Sequence, residues 1–312
     1  MISWLKNFFD PKPYNSGYLS AKDGHRIFYM EFGNPQGRPI LVFHGGPGGG
    51  CRARHAGFAD LKSYRVIMFE QRGCGRSTPL GSIKKNDTES LLNDATRLIT
   101  HLKIREKIIL RGASWGSTLA LLFAERYPDR VEKMLLSQIF LADENNGYWE
   151  FEGCRWFYPE FVEELERKSK GDITAFFAAE INSKNLKKQL DAANSYGWYE
   201  RICGSLNPHW DNKTELTEKE LASQRVFMHY RANDFFLQPQ QIMNNINKIK
   251  HIPTVIVHNR LDFVCPPLGA YQLHKALANS RLIMVPERGH GGKLLSQTIK
   301  REFRKELTSD GK

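Results

Sequence analysis

The sequence predicts an α/β protein: a mostly parallel sheet with helices on both faces, interrupted by an inserted helical cap. Three observations predict it. Apolar strand-like runs alternate with helical stretches over residues 38–136 and again over 249–312. From 137 to 248 the strand signal fades, and charged helical stretches with aromatic clusters take its place. The segment 107–128, KIILRGASWGSTLALLFAERYP, reads as a buried strand, a serine between glycines, and a buried helix. With 312 residues, 41% of them hydrophobic, the chain is large enough for such a core plus an insertion. The expected division is 1–136 with 249–312 as the core and 137–248 as the cap.

The elements follow in order. Tyr18-Leu19 leads into the hairpin signal Asp23-Gly24, and 26–30 is the returning strand. Asn34-Pro35-Gln36-Gly37 is a turn before the buried strand 39–43. That strand runs into His44-Gly45-Gly46-Pro47-Gly48-Gly49-Gly50, too rich in glycine to be a regular element and suited to a loop that turns backbone N–H groups toward a ligand. Residues 65–69 form the next strand. The turn 70–77, Glu-Gln-Arg-Gly-Cys-Gly-Arg-Ser, reads as structural, its arginines tying it to neighbouring loops. Residues 91–102 form an amphipathic helix before the strand 108–110. In the cap, Trp149, Phe151, Trp156, Phe157, Tyr158, Phe161, Tyr196, Trp198 and Tyr199 are read chiefly as its core. Afterwards come a strand at 254–258, a helix at 271–278, a strand at 281–285 and a final helix at about 293–307.

The chemistry begins at Gly112-Ala113-Ser114-Trp115-Gly116. A G-x-S-x-G between strand and helix is a nucleophile elbow: the sharp turn lifts the serine hydroxyl above the sheet, at a helix N-terminus that favours developing negative charge. An acid, Asp262, and a histidine, His290, each follow a late strand. The order Ser, Asp, His, with all three loops at one sheet edge, is that of the α/β-hydrolase fold. Serine hydroxyl is a poor nucleophile unaided. His290 would take its proton, Asp262 would hold the imidazole, and the N–H groups of Trp115 and of Gly45 or Gly46 would stabilise the oxyanion. The expected reaction is acyl transfer to water, with no cofactor and no metal.

Other classes fit poorly. The glycine loop lacks the Lys-Ser/Thr of a phosphate-binding loop. The net charge of +11 is spread in short pieces, read as solvated faces rather than a specific nucleic-acid site. No apolar run is long enough for a membrane span, and residues 1–14 carry no secretory pattern. Five scattered cysteines, never in a C-x-x-C pair, point to a reducing, cytoplasmic setting.

The motifs HGGPGGG at 44–50, QRGCGRS at 71–77, GASWGSTLAL at 112–121 and IPTVIVHNRLDFVCP at 252–266 resemble the proline iminopeptidases, α/β-hydrolases that remove an N-terminal proline. The resemblance runs from Pro13-Tyr14 to the His290 region. It implies Ser114, Asp262 and His290 as the triad. It matches Cys265 to a cysteine near the site that makes such enzymes sensitive to thiol reagents, although a buried small residue reads equally well. AANSYGWYERICGSL at 192–206 is similar to the segment whose glutamate lies near the substrate's N-terminus, which implies that Glu200 meets the α-ammonium. The family's second such glutamate is replaced by Phe227 in the run 225–230. Glu70 stands for the usual aspartate, Asn259 for a glycine, and Gly291 for a serine. The expected substrate is therefore a short peptide with an N-terminal proline or small residue. An esterase or amidase for uncharged acyl groups, favoured by Phe227, stays open, as does a binding protein that keeps the fold without turnover. Oligomeric state is not legible.

Overall fold

The strands at the centre of the sheet are almost uninterrupted Ile, Val, Leu and Phe, the composition of strands covered on both faces. The computed structural model describes residues 10–205 and 216–308; the start of the chain scanned for a secretory pattern, and Leu206 at the end of one quoted motif, lie outside them. Eight strands are present among the described residues: β1 (Asn15–Ser20), β2 (Arg26–Gly33), β3 (Arg38–Phe43), β4 (Tyr64–Phe69), β5 (Ile108–Ser114), β6 (Val131–Ile139), β7 (Thr254–Leu261) and β8 (Ser280–Arg288). Their order across the sheet is β1-β2-β4-β3-β5-β6-β7-β8. Both partners of β2 run antiparallel to it, and every pairing from β4 across to β8 is parallel. Parallel neighbours need crossovers, and helices supply them.

Helices α1 (Thr88–His101), α2 (Trp115–Arg126) and later α7 (Pro267–Ala276) cover one face; α8 (Lys293–Thr308) covers the other. On the first face Leu91, Leu98, Leu119, Phe123 and Leu273 join Leu41, Phe43 and Ile67 of the strands. On the second, Leu295, Phe303 and Leu307 of α8 meet Ile40, Val66, Ile109 and Val257. Asp87 caps α1 by accepting from the Ser90 N–H. The expected helix at 271–278 starts earlier, because Pro267 suits a first helical turn.

Between β6 and β7 the chain forms a helical layer. Its principal helices are α3 (Pro159–Ser169), α4 (Ile173–Ile181), α5 (Leu186–Ser205) and α6 (Glu218–Arg231), the last opened by a Thr217–Glu220 capping box. This layer has its own apolar centre, including Phe161, Val162, Phe177, Tyr196, Tyr199 and Met228. Two elements lie close to the expected boundaries of this layer. β6 continues to Ile139, and Phe235 and Ile242 pack into the sheet's core cluster rather than into that of the helical layer. A short apolar stretch does not reveal from sequence which of two cores receives it.

Candidate active site

Ser114 ends β5 and stands at the cap position of α2, with φ 55° and ψ −132°. A non-glycine residue there costs on the order of 1–3 kcal/mol, so its neighbours must hold it. They do so by close approach. A Cβ on Gly112 would sit 2.8 Å from Ser117 Cα, and one on Gly116 would sit 2.8 Å from the His44 carbonyl oxygen. Only glycine at both positions lets strand and helix close this tightly. The Ser117 hydroxyl donates to the Ser114 carbonyl (2.7 Å) and accepts from the Phe140 N–H (3.1 Å), pinning the turn. The Ser114 side chain makes no capping bond, so the positive end of α2 meets the cavity.

The acid and base follow β7 and β8. Asp262 is buried. Its Oδ1 accepts from the N–H groups of Val264 and Cys265, both at 2.9 Å, and its Oδ2 accepts from His290 Nδ1 at 2.8 Å. This places the proton on Nδ1 and leaves Nε2 as the basic nitrogen. A second histidine, His258, is fully buried beside the pair. Its Nδ1 accepts from the Ile139 N–H (3.0 Å), which fixes Nε2–H as donor to the Cys265 carbonyl (2.8 Å). Burial holds it neutral, with a pKa below the usual histidine value. Cys265 is itself buried, and its thiol, near the Ser114 hydroxyl, is pushed well up by burial and by the Asp262 charge.

The His290 loop is held from two sides. Asn259 Nδ2 donates to the carbonyls of Gly289 (2.9 Å) and Gly291 (3.0 Å), one on each side of His290. The His290 N–H donates to the Gly204 carbonyl of α5 (2.8 Å). The glycine loop after β3 is held by Gln71. Its N–H donates to His44 Nε2 and its Nε2 to the His44 carbonyl, both at 2.9 Å, while its Oε1 accepts from Trp115 Nε1 at 3.0 Å. A Cβ on Gly45 would lie 3.3 Å from Ser114 Cβ, so this loop rests directly on the elbow. In the turn beyond, Arg72 is buried between Asp94 (2.6 Å) and Asp23 (2.7 Å), and Arg76 pairs with Glu70 (2.8 Å), which agrees with a structural reading of that turn.

A cavity of about 1050 Å³ lies between sheet edge and helical layer. Ser114, His290, Gly45, Gly46, Glu200 and Phe227 all line it. Trp115 and Asp262 are not part of its wall: the Trp115 indole is buried against Tyr230 and Phe235, and Asp262 stands behind His290. Glu200, on α5, accepts from Gln224 Nε2 of α6 (2.7 Å). Among the described residues no cation lies within ion-pair distance of it. Burial first, then the Glu150 charge, raise its pKa from 4.5 to about 7, against the opposing effects of Gln224, Arg201 and His290. Phe227 lies against the Tyr196 ring (5.8 Å between centroids).

Glu150 also lines the cavity, and the sequence reading passed it over among the neighbouring aromatics. It accepts from Tyr196 Oη and pairs with Arg231, so its charge is already matched. Gln71 and Asn259 were equally hidden in their roles, since both act through contacts far along the chain. All five cysteines are free; Cys154 and Cys203 face each other across the helical layer at 3.8 Å.

The family model for the α/β hydrolase fold matches residues 38–296, and the chain is an α/β-hydrolase. A solved structure of a proline iminopeptidase-related protein from Thermus thermophilus superposes with a TM-score of 0.61 at 19% identity, covering 94% of this chain and 97% of that one, a likeness of fold. Closer in sequence is the proline iminopeptidase of Arabidopsis thaliana, 37% identical over 288 residues, 89% of this chain and 76% of that protein. The proline iminopeptidase of Xanthomonas citri is 35% identical, with 89% and 91% covered. The chain belongs to the proline iminopeptidase family.

Proposed function

We propose that this protein is a serine aminopeptidase of the prolyl aminopeptidase type, which releases an N-terminal proline or small residue from short peptides. One observation carries the specificity: Glu200 is a carboxylate without a resident cation, walled into the same cavity as Ser114 and His290. A half-buried carboxylate in that condition is best satisfied by a cation brought in with the substrate, and a peptide's α-ammonium is that cation.

The arrangement of these residues supports the following reaction. His290 Nε2 takes the Ser114 proton as Oγ attacks the scissile carbonyl, and Asp262 stabilises the imidazolium through Nδ1–H. The oxyanion is received by the N–H of Trp115 at the start of α2 and by that of Gly45 or Gly46. The amine leaves with the proton from His290, and water, deprotonated by the same nitrogen, releases the free amino acid. Residues 137–248 act as the cap that shapes the acyl-side pocket and excludes water. The free, buried cysteines support a reducing, cytoplasmic setting; among the described residues no helix is long and apolar enough to cross a membrane.

Phe227 favours a second reading, an esterase or amidase for uncharged acyl groups, since it presents an apolar wall in the same cavity. Three substrates separate the two, with Ser114→Ala as the blank: proline p-nitroanilide, its N-acetylated form and a p-nitrophenyl acyl ester. Turnover of the free-amine anilide with the acetylated one inert supports the aminopeptidase. Ester turnover with both anilides inert supports the esterase.

A further inference from the structure

The cavity's carboxylates are confined to one side, where Arg201 lines it with them, and the other side carries cations without carboxylates. The carboxylates that line it, Glu150, Glu200 and Glu220, all stand on the helical layer. Beyond Ser114 it continues into a second lobe between the 3-10 turn Ala53–Phe58 and α8, where Arg54, His55, Arg111 and Lys300 line the wall with Phe58 and Ile299. No carboxylate lines this lobe.

Arg111 forms its inner end. It belongs to β5, and its guanidinium donates to the Gly112 carbonyl and to Ser137 Oγ (2.9 Å) while lying over the Phe303 ring (5.0 Å). Ser137 is in register with Ala113, so the cationic group is carried up to the level just beneath Ser114. Among the described residues no carboxylate is within ion-pair distance of Arg111. Burial alone depresses its pKa, to about 9, with no anion to offset it. Arg54 and Lys300 are exposed at the mouth and have no ion-pair partner among the described residues. His55 registers the same field: desolvation first, then Arg54, Arg111 and Arg52, hold it below the usual histidine range. A guanidinium held by neutral acceptors but without a carboxylate, lining a cavity with two more cations at its opening, is the counterpart of Glu200 at the other end.

We propose that this lobe is a carboxylate-binding subsite on the leaving-group side of Ser114, taking the C-terminal carboxylate of a di- or tripeptide. The inference rests on the aminopeptidase reading for its orientation: the α-ammonium at Glu200, the scissile carbonyl at Ser114, the free carboxylate toward Arg111, Arg54 and Lys300. The enzyme then recognises a small zwitterion by both of its ends.

The experiment compares kcat/KM for Pro-Gly, Pro-Gly amide and proline p-nitroanilide in the wild type and in Arg54→Gln/Lys300→Gln. The expected result is a preference for Pro-Gly over its amide of about tenfold or more, the size of one charge-assisted hydrogen bond, falling toward unity in the double variant. Equal rates for acid and amide while the anilide is cleaved would overturn the subsite and leave the aminopeptidase reading standing. A preference that persists undiminished in the double variant would overturn it as well. If no proline substrate is turned over, the aminopeptidase reading has failed. The lobe is then tested alone by calorimetric titration with acetylglycine, which has the carboxylate and no amine. Saturable binding weakened about tenfold or more by the double substitution sustains the subsite, and absence of binding overturns it.

Discussion

Replacing Glu200 with glutamine keeps an oxygen to accept from Gln224 and removes a charge that the fold buries at a cost. The carboxyl's pKa rises from 4.5 to about 7, chiefly by burial. At about 1.36 kcal/mol per pKa unit, the ionised carboxylate destabilises the folded protein by up to about 3 kcal/mol; with water admitted to the cavity, about 1–3 kcal/mol is expected. The sign is set by the direction of the shift. A group whose pKa is raised on folding contributes its stability fully below the unfolded value of 4.5 and loses it as pH rises through about 7. Glu200→Gln is therefore expected to raise Tm at pH 8 by roughly 2–4 °C per kcal/mol, and to leave Tm unchanged near pH 4. The same substitution removes the partner of the substrate ammonium, so KM for proline p-nitroanilide rises about tenfold or more at pH 8. Thermal scans at the two pH values and steady-state kinetics read both effects. A lower Tm at pH 8, or an unchanged KM, refutes the assignment of Glu200 as a half-buried carboxylate waiting for a cation.

Ser114→Ala is expected to abolish hydrolysis of anilides and esters alike, by at least about 10⁴-fold in kcat; residual turnover within tenfold of wild type would move the nucleophile elsewhere. Asn259→Ala frees the carbonyls on both sides of His290 and leaves the triad side chains in place. A fall in kcat of about tenfold with KM nearly constant is expected, and a change confined to KM would exclude a role in orienting the base. Gly291→Ser, by contrast, adds its side chain into open space, so stability within about 0.5 kcal/mol of wild type, measured by denaturant unfolding, is the expected outcome.

What sequence reading recovers here depends on the range of the interaction. The elbow is local: Gly112, Ser114 and Gly116 lie within five residues, and both glycines serve the close approach their pattern implies. Asp262 and His290 are distant along the chain but announced by strand ends, which the parallel sheet brings to one edge. Glu200 needed a family resemblance, because a lone glutamate on a helix carries no mark of facing a cavity. The parts that escaped depend on pairings with no sequence period. Gln71 reaches His44 and Trp115, Asn259 reaches across to the His290 loop, and Glu150 meets Arg231 from another helix. Asn259 did stand out as a departure from glycine, but only its two carbonyl partners give that departure a meaning.

Helix α5 carries Glu200 on its inner side and, one turn later, the Gly204 carbonyl that accepts the His290 N–H. A single helix thus bears both the carboxylate proposed to meet the substrate amine and one of the tethers of His290, the proposed base. Selectivity in this enzyme is consequently not a detachable module. Exchanging the helical layer for that of a relative would also re-aim the base, and a chimera of this kind inherits its turnover rate from the fit of α5 as much as from the triad it retains.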